Sequence, residues 1–159
     1  MKTMLATAAI SLCLFGAVWA EDAPEGRLLA HSSFVSVDAN ENGFIEASEA
    51  SEYGNDVFVS MDYDENGLLS EDEFTEWGFG FQTIAAEEGK ELAYRTALRV
   101  VFSFWDGNAD GGISPSELRQ ANIADFKRSD RNGDGRMSKE EFLGHFSIMV
   151  AIRAALKPE

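Results

Sequence analysis

Apolar residues recur along this chain at helical offsets that restart four times. Phe34 and Val37 stand four and one residues before Asp38, Phe58 and Met61 before Asp62, Phe102 and Trp105 before Asp106, and Phe126 and Ser129 before Asp130. Apolar residues three or four apart line one stripe of a helix. Each set therefore predicts a helix that delivers a Phe to a core and stops at an Asp. The fourth set has Ser129 in its second slot, which predicts looser packing there. The first helix is expected from about Pro24 and Glu25 to Val37, since proline suits a helix start. Two more helices are expected at about 71–87 and 90–105, hinged at Gly89. Phe74, Trp77, Phe81 and Ile84 make the apolar face of the former, which Gly78 and Gly80 interrupt. Past Glu141 a last helix carries Phe142, Phe146, Ile148, Met149, Val150, Ile152 and Leu156 on more than one face.

The stretch after each Asp is polar, and it repeats over twelve positions. The first stretch supplies Asp38, Asn40, Asn42, Phe44, Glu46 and Glu49 at positions 1, 3, 5, 7, 9 and 12. The second supplies Asp62, Asp64, Asn66, Leu68, Ser70 and Glu73. The third has Asp106, Asn108, Asp110, Gly112, Ser114 and Glu117, and the fourth Asp130, Asn132, Asp134, Arg136, Ser138 and Glu141. Glycine fills position 6 in all four. A hard cation such as Ca²⁺ takes six to eight oxygens, and this spacing provides them from side chains, from the carbonyl of position 7, and from a bidentate Glu at position 12. The alternative is a set of acidic loops that merely solvate a surface, which would require the same coincidence four times. Each loop offers three carboxylates, the third acid of the first loop being Glu46. That loop departs most from the others, having Asn at positions 3 and 5.

On these residues the chain resembles the EF-hand calcium-binding family, and within it small exported bacterial calmodulin-like or calsymin-like proteins, from about Phe34 to Phe146. The resemblance implies an all-α fold of four helix-loop-helix motifs in two closely spaced pairs. It also implies up to four Ca²⁺ ions and short β-bridges between paired loops at position 8, as at Ile113 and Met137. Ser70 with Glu73, Ser114 with Glu117 and Ser138 with Glu141 also read as capping boxes. The three Glu residues are therefore expected to cap a helix without metal and to turn onto calcium when it binds. The compressed spacing is shared with dockerins, but Glu at position 12 and full preceding helices depart from them.

Only 12 residues separate Glu49 from Asp62, and again Glu117 from Asp130. They form either two short helices or one fused helix of roughly 18 Å. The broken form is expected upstream, because Gly54-Asn55 is turn chemistry and Asp56 suits a cap. Loops 1 with 2 and 3 with 4 are the expected pairs, with pairing of loops 2 and 3 as the alternative. The chain divides accordingly into 1–20, 21–89 and 90–159.

Charge and composition narrow the function. Lys2, the apolar run Met4 to Val18 and Val18-Trp19-Ala20 predict a signal peptide cut after Ala20, hence a periplasmic or secreted protein. The alternative is an uncleaved anchor. That cut removes Cys13, so no disulfide is expected. It leaves 12 basic against 28 acidic residues, a net charge of −16. Such a surface disfavours nucleic acid and anionic lipid, and no stable membrane insertion is expected once the signal is removed. With His31 and His145 the only histidines and the clustered carboxylates assigned to the loops, enzymatic activity is not expected. Two functions remain. One is a sensor that regulates or bridges an envelope partner through Trp77, Phe79 and Phe81 or the last helix. The other is a passive buffer or a calcium-stabilised structural protein.

Overall fold

The computed structural model describes residues 25–77 and 80–157. The predicted signal peptide and Phe79 lie outside the described residues. In chain order the elements are α1 (Glu25–Val37), β1 (Phe44–Glu46), α2 (Ala47–Met61), β2 (Leu69–Ser70), α3 (Glu71–Glu76), α4 (Phe81–Glu87), α5 (Glu91–Trp105), β3 (Gly112–Ile113), α6 (Pro115–Ser129), β4 (Arg136–Ser138), α7 (Lys139–His145) and α8 (Ser147–Ala155).

The 12-residue spacers are unbroken. α2 and α6 run 15 residues each, about 22 Å at 1.5 Å per residue. Gly54-Asn55 is therefore not a turn. Gly54 is buried in mid-helix, and a Cβ placed on it would come within 2.2 Å of Asn122 Nδ2. The glycine leaves room for the Asn122 side chain where α2 crosses α6.

Fused spacers overturn the expected loop pairing. A single rod holds loops 1 and 2 at its two ends, too far apart to share a ladder, and α6 separates loops 3 and 4 in the same way. The rods lie side by side and antiparallel, so loop 1 meets loop 4 and loop 2 meets loop 3. β1 pairs antiparallel with β4, Phe44 opposite Ser138, Ile45 opposite Met137 and Glu46 opposite Arg136. β2 pairs with β3, Leu69 opposite Ile113 and Ser70 opposite Gly112. Both ladders thus join the stretch before residue 89 to the stretch after residue 90. The pairing of loops 2 and 3 was the weaker alternative from the sequence, and that of 1 with 4 was not foreseen.

One apolar core runs between the two ends. The helix-end residues Phe34, Phe58, Phe102 and Phe126 are all buried, as are Val37, Met61 and Trp105. Ser129 is fully enclosed as well, its hydroxyl without a hydrogen-bond partner. The fourth helix therefore packs as closely there as the others. Phe74 meets Phe102 and Trp105 edge-on, at centroid separations of 5.7 and 5.5 Å, beneath the loop 2 and 3 end. Phe34 and Phe142, 6.0 Å apart, fill the other end. The 71–87 helix is divided into α3 and α4, as its glycines predicted. The last helix is also divided, because Phe146 is extended. The carboxylate of Asp125, reaching across from α6, accepts the Ser147 N–H at 3.3 Å and the Ser147 hydroxyl, and also pairs with Arg128. A buried Asp thereby satisfies an N–H that the new helix start would otherwise leave orphaned.

Candidate metal centres

The four loops are built alike from their own backbone. The Asp at position 1 accepts the amides of positions 5 and 6. Asn42 and Gly43 donate to Asp38 at 3.1 and 2.9 Å, and Asn66 and Gly67 to Asp62 at 3.0 Å each. Asp110 and Gly111 donate to Asp106, and Asp134 and Gly135 to Asp130, at 2.9–3.2 Å. The same amides of Asn42, Asn66, Asp110 and Asp134 also reach the position 3 oxygens of Asn40, Asp64, Asn108 and Asn132. Position 5 in turn accepts the position 7 amide, that of Phe44, Leu68, Gly112 or Arg136. The side-chain oxygens are thereby bent inward around each loop. The turn this requires is left-handed at position 6, with φ of +86, +82, +92 and +83° at Gly43, Gly67, Gly111 and Gly135, where a Cβ would be strained.

The Glu at position 12 closes each loop. One oxygen of Glu49, Glu73, Glu117 and Glu141 accepts the position 9 amide, of Glu46, Ser70, Ser114 and Ser138 respectively, at 2.8–2.9 Å. In the last three loops the serine hydroxyl accepts the amide of that same Glu, completing the capping boxes foreseen in the sequence. In loop 1 Glu46 spans the mouth, accepting from Asn40 at 3.1 Å and from Asn42 at 2.7 Å.

In the last three loops these bonds favour the ionised form of the closing acid. The Ser114 hydroxyl and amide keep Glu117 below the usual carboxylate range, and the Ser138 amide does the same for Glu141. Burial works against ionisation of Glu73, but the Ser70 amide and hydroxyl outweigh it. Hydrogen bonds to the charged form are what lower a carboxyl pKa in this way.

The second oxygen of the Glu separates the loops. Glu49 Oε1 accepts the Asn40 amide at 3.0 Å, Glu117 Oε1 the Asn108 amide at 3.1 Å, and Glu141 Oε1 the Arg131 and Asn132 amides at 2.9 and 3.3 Å. Glu73 Oε1 is buried and closes no hydrogen bond, although the Asp64 and Tyr63 amides lie near enough to favour its charged form. Asp62, Asp64 and Glu73 bring carboxylate oxygens within 4.8 Å of one another, the one such group of three among the described residues. A buried, unpaired carboxylate oxygen beside two further acids suits a hard cation with an all-oxygen shell. The donor set therefore fits Ca²⁺.

Helix-loop-helix units joined through position 8, with acidic loops of twelve residues, define a class of oxygen-liganded divalent-cation proteins. The family model for the EF hand matches this chain twice in tandem, over residues 98–121 and 123–146, so loops 3 and 4 lie within EF-hand motifs, which imply calcium binding. No curated protein matches the chain.

Among the residues expected to meet a partner, Phe81 is buried and Trp77 half-buried against the core. The last helix buries Met149 and Ile152. Sequence reasoning missed the outward apolar positions of α5. Leu92, Val100 and Phe104 are exposed, and their spacing of eight and four residues was available as a signal. It also missed Asp125, whose role depends on a break at Phe146 that no local signal announces. Among the described residues no helix is long and apolar enough to cross a membrane.

Proposed function

We propose that this chain is an exported, non-enzymatic calcium sensor with an ion site in each of its four loops. The observation that carries the reading is that loops 1 and 2 repeat the bonds at positions 1, 3 and 5, and from the position 9 amide to the closing Glu, that turn the oxygens of loops 3 and 4 inward. Each of the two upstream loops is tied by a ladder to a downstream partner. Asp38, Asn40, Asn42, Glu46 and Glu49 with the Phe44 carbonyl would hold one ion, and the Asp62 to Glu73 loop with the Leu68 carbonyl a second. The two remaining loops would use the Gly112 and Arg136 carbonyls in the same role. Calcium supplies charge neutralisation, taking a net of −16 to about −8 with four ions and so relieving self-repulsion.

Sensor action follows from the rods. α2 and α6 each end in two loops, so a change at one end of the molecule bears on the crossing at Gly54 and Asn122. The core beside that crossing holds an apolar cavity of about 70 Å³ lined by Tyr53, Val57, Trp77, Leu118 and Phe146 among others, which a shift of the rods would open. The second reading, a passive buffer or calcium-stabilised structural protein, is favoured by the burial of Phe81 and the packing of α8.

A calcium titration of the protein, with Mg²⁺ as control, separates the two. A sensor gains helix content by circular dichroism and binds an apolar dye on loading, whereas a buffer gains order with dye binding flat or falling. Export is tested by the mass of the protein recovered outside the cytoplasm. A chain beginning at Glu21 supports export with cleavage, an intact Met1 start outside the cytoplasm supports the uncleaved anchor, and recovery in the cytoplasm alone sinks export.

A further inference from the structure

We propose that ions load this protein in a fixed order: the loop of Asp62, Asp64 and Glu73 first, its ladder partner from Asp106 to Glu117 second, and loops 1 and 4 last. This rests on the reading of all four loops as calcium sites and goes beyond it in ranking them.

Three observations lead there. The first is Glu73 Oε1, enclosed in a side chain 3% exposed and without a hydrogen bond, whereas its three counterparts each accept at least one amide. A cation at loop 2 meets an oxygen that gives up no existing bond. The second is the gathering of three carboxylates within 4.8 Å, which repel one another until a cation joins them. The third is the distribution of basic residues. Loops 2 and 3 contain no Lys or Arg, while loop 4 contains Arg131, Arg136 and Lys139. Arg136 faces Glu46 across the β1–β4 ladder and lies 3.8 Å from the Phe44 ring centroid. Positive charge from Arg136 therefore stands against the acids of loops 1 and 4, whereas at loops 2 and 3 Arg99 and Arg95 of α5 pair with Glu71 and Asp72, outside the ligand positions of loop 2. Loop 3 follows loop 2 because Leu69 and Ile113 share a ladder and are both fully buried, so fixing one loop fixes the exit of the other.

Tyr63, exposed beside Asp62, is the one tyrosine within any of the four loops, which gives loop 2 its own optical reporter. Tb³⁺, a luminescent stand-in for Ca²⁺, is titrated into the protein, and its emission on tyrosine excitation is compared with that of Tyr63→Phe. Calorimetry with Ca²⁺ follows for Glu73→Gln and Glu141→Gln. The emission that Tyr63→Phe abolishes should saturate within the first equivalent. Glu73→Gln should weaken the first Ca²⁺ step at least tenfold, and Glu141→Gln should leave it within twofold. Tyr63-dependent emission that grows only in later equivalents, or a first step lost in Glu141→Gln and kept in Glu73→Gln, overturns the order while leaving the four-site reading standing. Absence of both Ca²⁺ heat and Tb³⁺ emission in the unmodified protein overturns the four-site reading itself. Should Glu73→Gln fail to fold by circular dichroism, Tyr63→Phe still decides the order, since it alters no ligand oxygen.

Discussion

The two ends of the α2–α6 rod pair share a plan and differ in how well each is satisfied without metal. At the end of loops 1 and 4 the ladder is three residues long, both Glu49 and Glu141 have bonds to each oxygen, and Arg136 crosses from one loop to the aromatic ring of the other. At the end of loops 2 and 3 the ladder is two residues long, neither loop contains a basic residue, Arg95 and Arg99 of α5 pair only with Asp72 and Glu71 outside the ligand positions, and Glu73 keeps one oxygen unbonded. The contrast extends along the chain. Residues 21–89 carry eighteen acidic side chains and one basic, residues 90–159 ten and eleven. Antiparallel packing of the rods places one acidic upstream loop and one downstream loop at each end. The basic residues of loop 4 then favour one end alone. An end built this way is stable but has less to gain from an ion, and the opposite end has more to gain.

The largest effect is expected where both ends depend on one contact. Gly54→Leu would drive a side chain into Asn122, and overpacking of this kind costs about 3 kcal/mol. Thermal unfolding should show a lower Tm, and calorimetry should show weaker calcium steps at both ends together. Loss confined to one end would mean that the rods do not couple the loops.

Alkaline pH attacks the same shared core with a smaller expected effect. Burial pushes Tyr94 and Tyr53 up to about 12, from a usual value near 10. A phenol whose folded pKa is raised contributes stability that is complete below about pH 10 and is lost as pH climbs towards 12. For Tyr94 the loss is about 2–3 kcal/mol. Absorbance of the phenolate, followed alongside circular dichroism, should place unfolding inside that window. Ionisation of both residues near pH 10 with the helices intact would contradict their burial.

Next come the caps, each local to its end. Ser70→Ala and Ser138→Ala each remove the hydroxyl that accepts a Glu amide, at about 1 kcal/mol. Denaturant midpoints in chelator should fall by that amount in both variants. On adding calcium, the Ser70→Ala deficit should shrink at lower ion concentration than the Ser138→Ala deficit, since the Glu73 end gains more from its ion. Equal recovery would erase the distinction between the ends.

The loops were legible almost to the atom, because each twelve-residue pattern is local. Position 6 needs a left-handed turn, position 12 needs a long acid, and the neighbours that bend these oxygens inward are their own backbone amides. The partnership of loops was not legible in the same way. It depends on whether 12 residues make one rod or two, and Gly54-Asn55 has the same local signature either way. What decides is Asn122, 68 positions later, whose side-chain amide occupies the space a Cβ on residue 54 would take. The difference between Glu73 and the other three closing acids was equally hidden, since all four loops spell Glu at position 12. It lies in whether the position 3 amide closes a hydrogen bond to the second Glu oxygen, which the sequence pattern does not encode. The helix-end Phe residues were plain from their offsets, whereas Asp125 capping α8 across the core was not.

The smallest expected effect is the most specific. Arg136 would offer loop 4 only its backbone carbonyl, so Arg136→Gln keeps every candidate ligand oxygen and removes the guanidinium from the Phe44 ring and from Asp134, 3.5 Å away. A cation–π contact at an exposed site contributes about 0.5–1 kcal/mol, and metal-free stability should fall by roughly that. Calcium binding at loops 1 and 4 should tighten several-fold in the same variant, because the acids there lose the charge that offsets them, while the steps at loops 2 and 3 stay put. The later steps in the calorimetric titration would then move towards the earlier ones. If the separation between steps is unchanged, charge compensation is not what distinguishes the ends. The unbonded oxygen of Glu73 is then left to account for the difference.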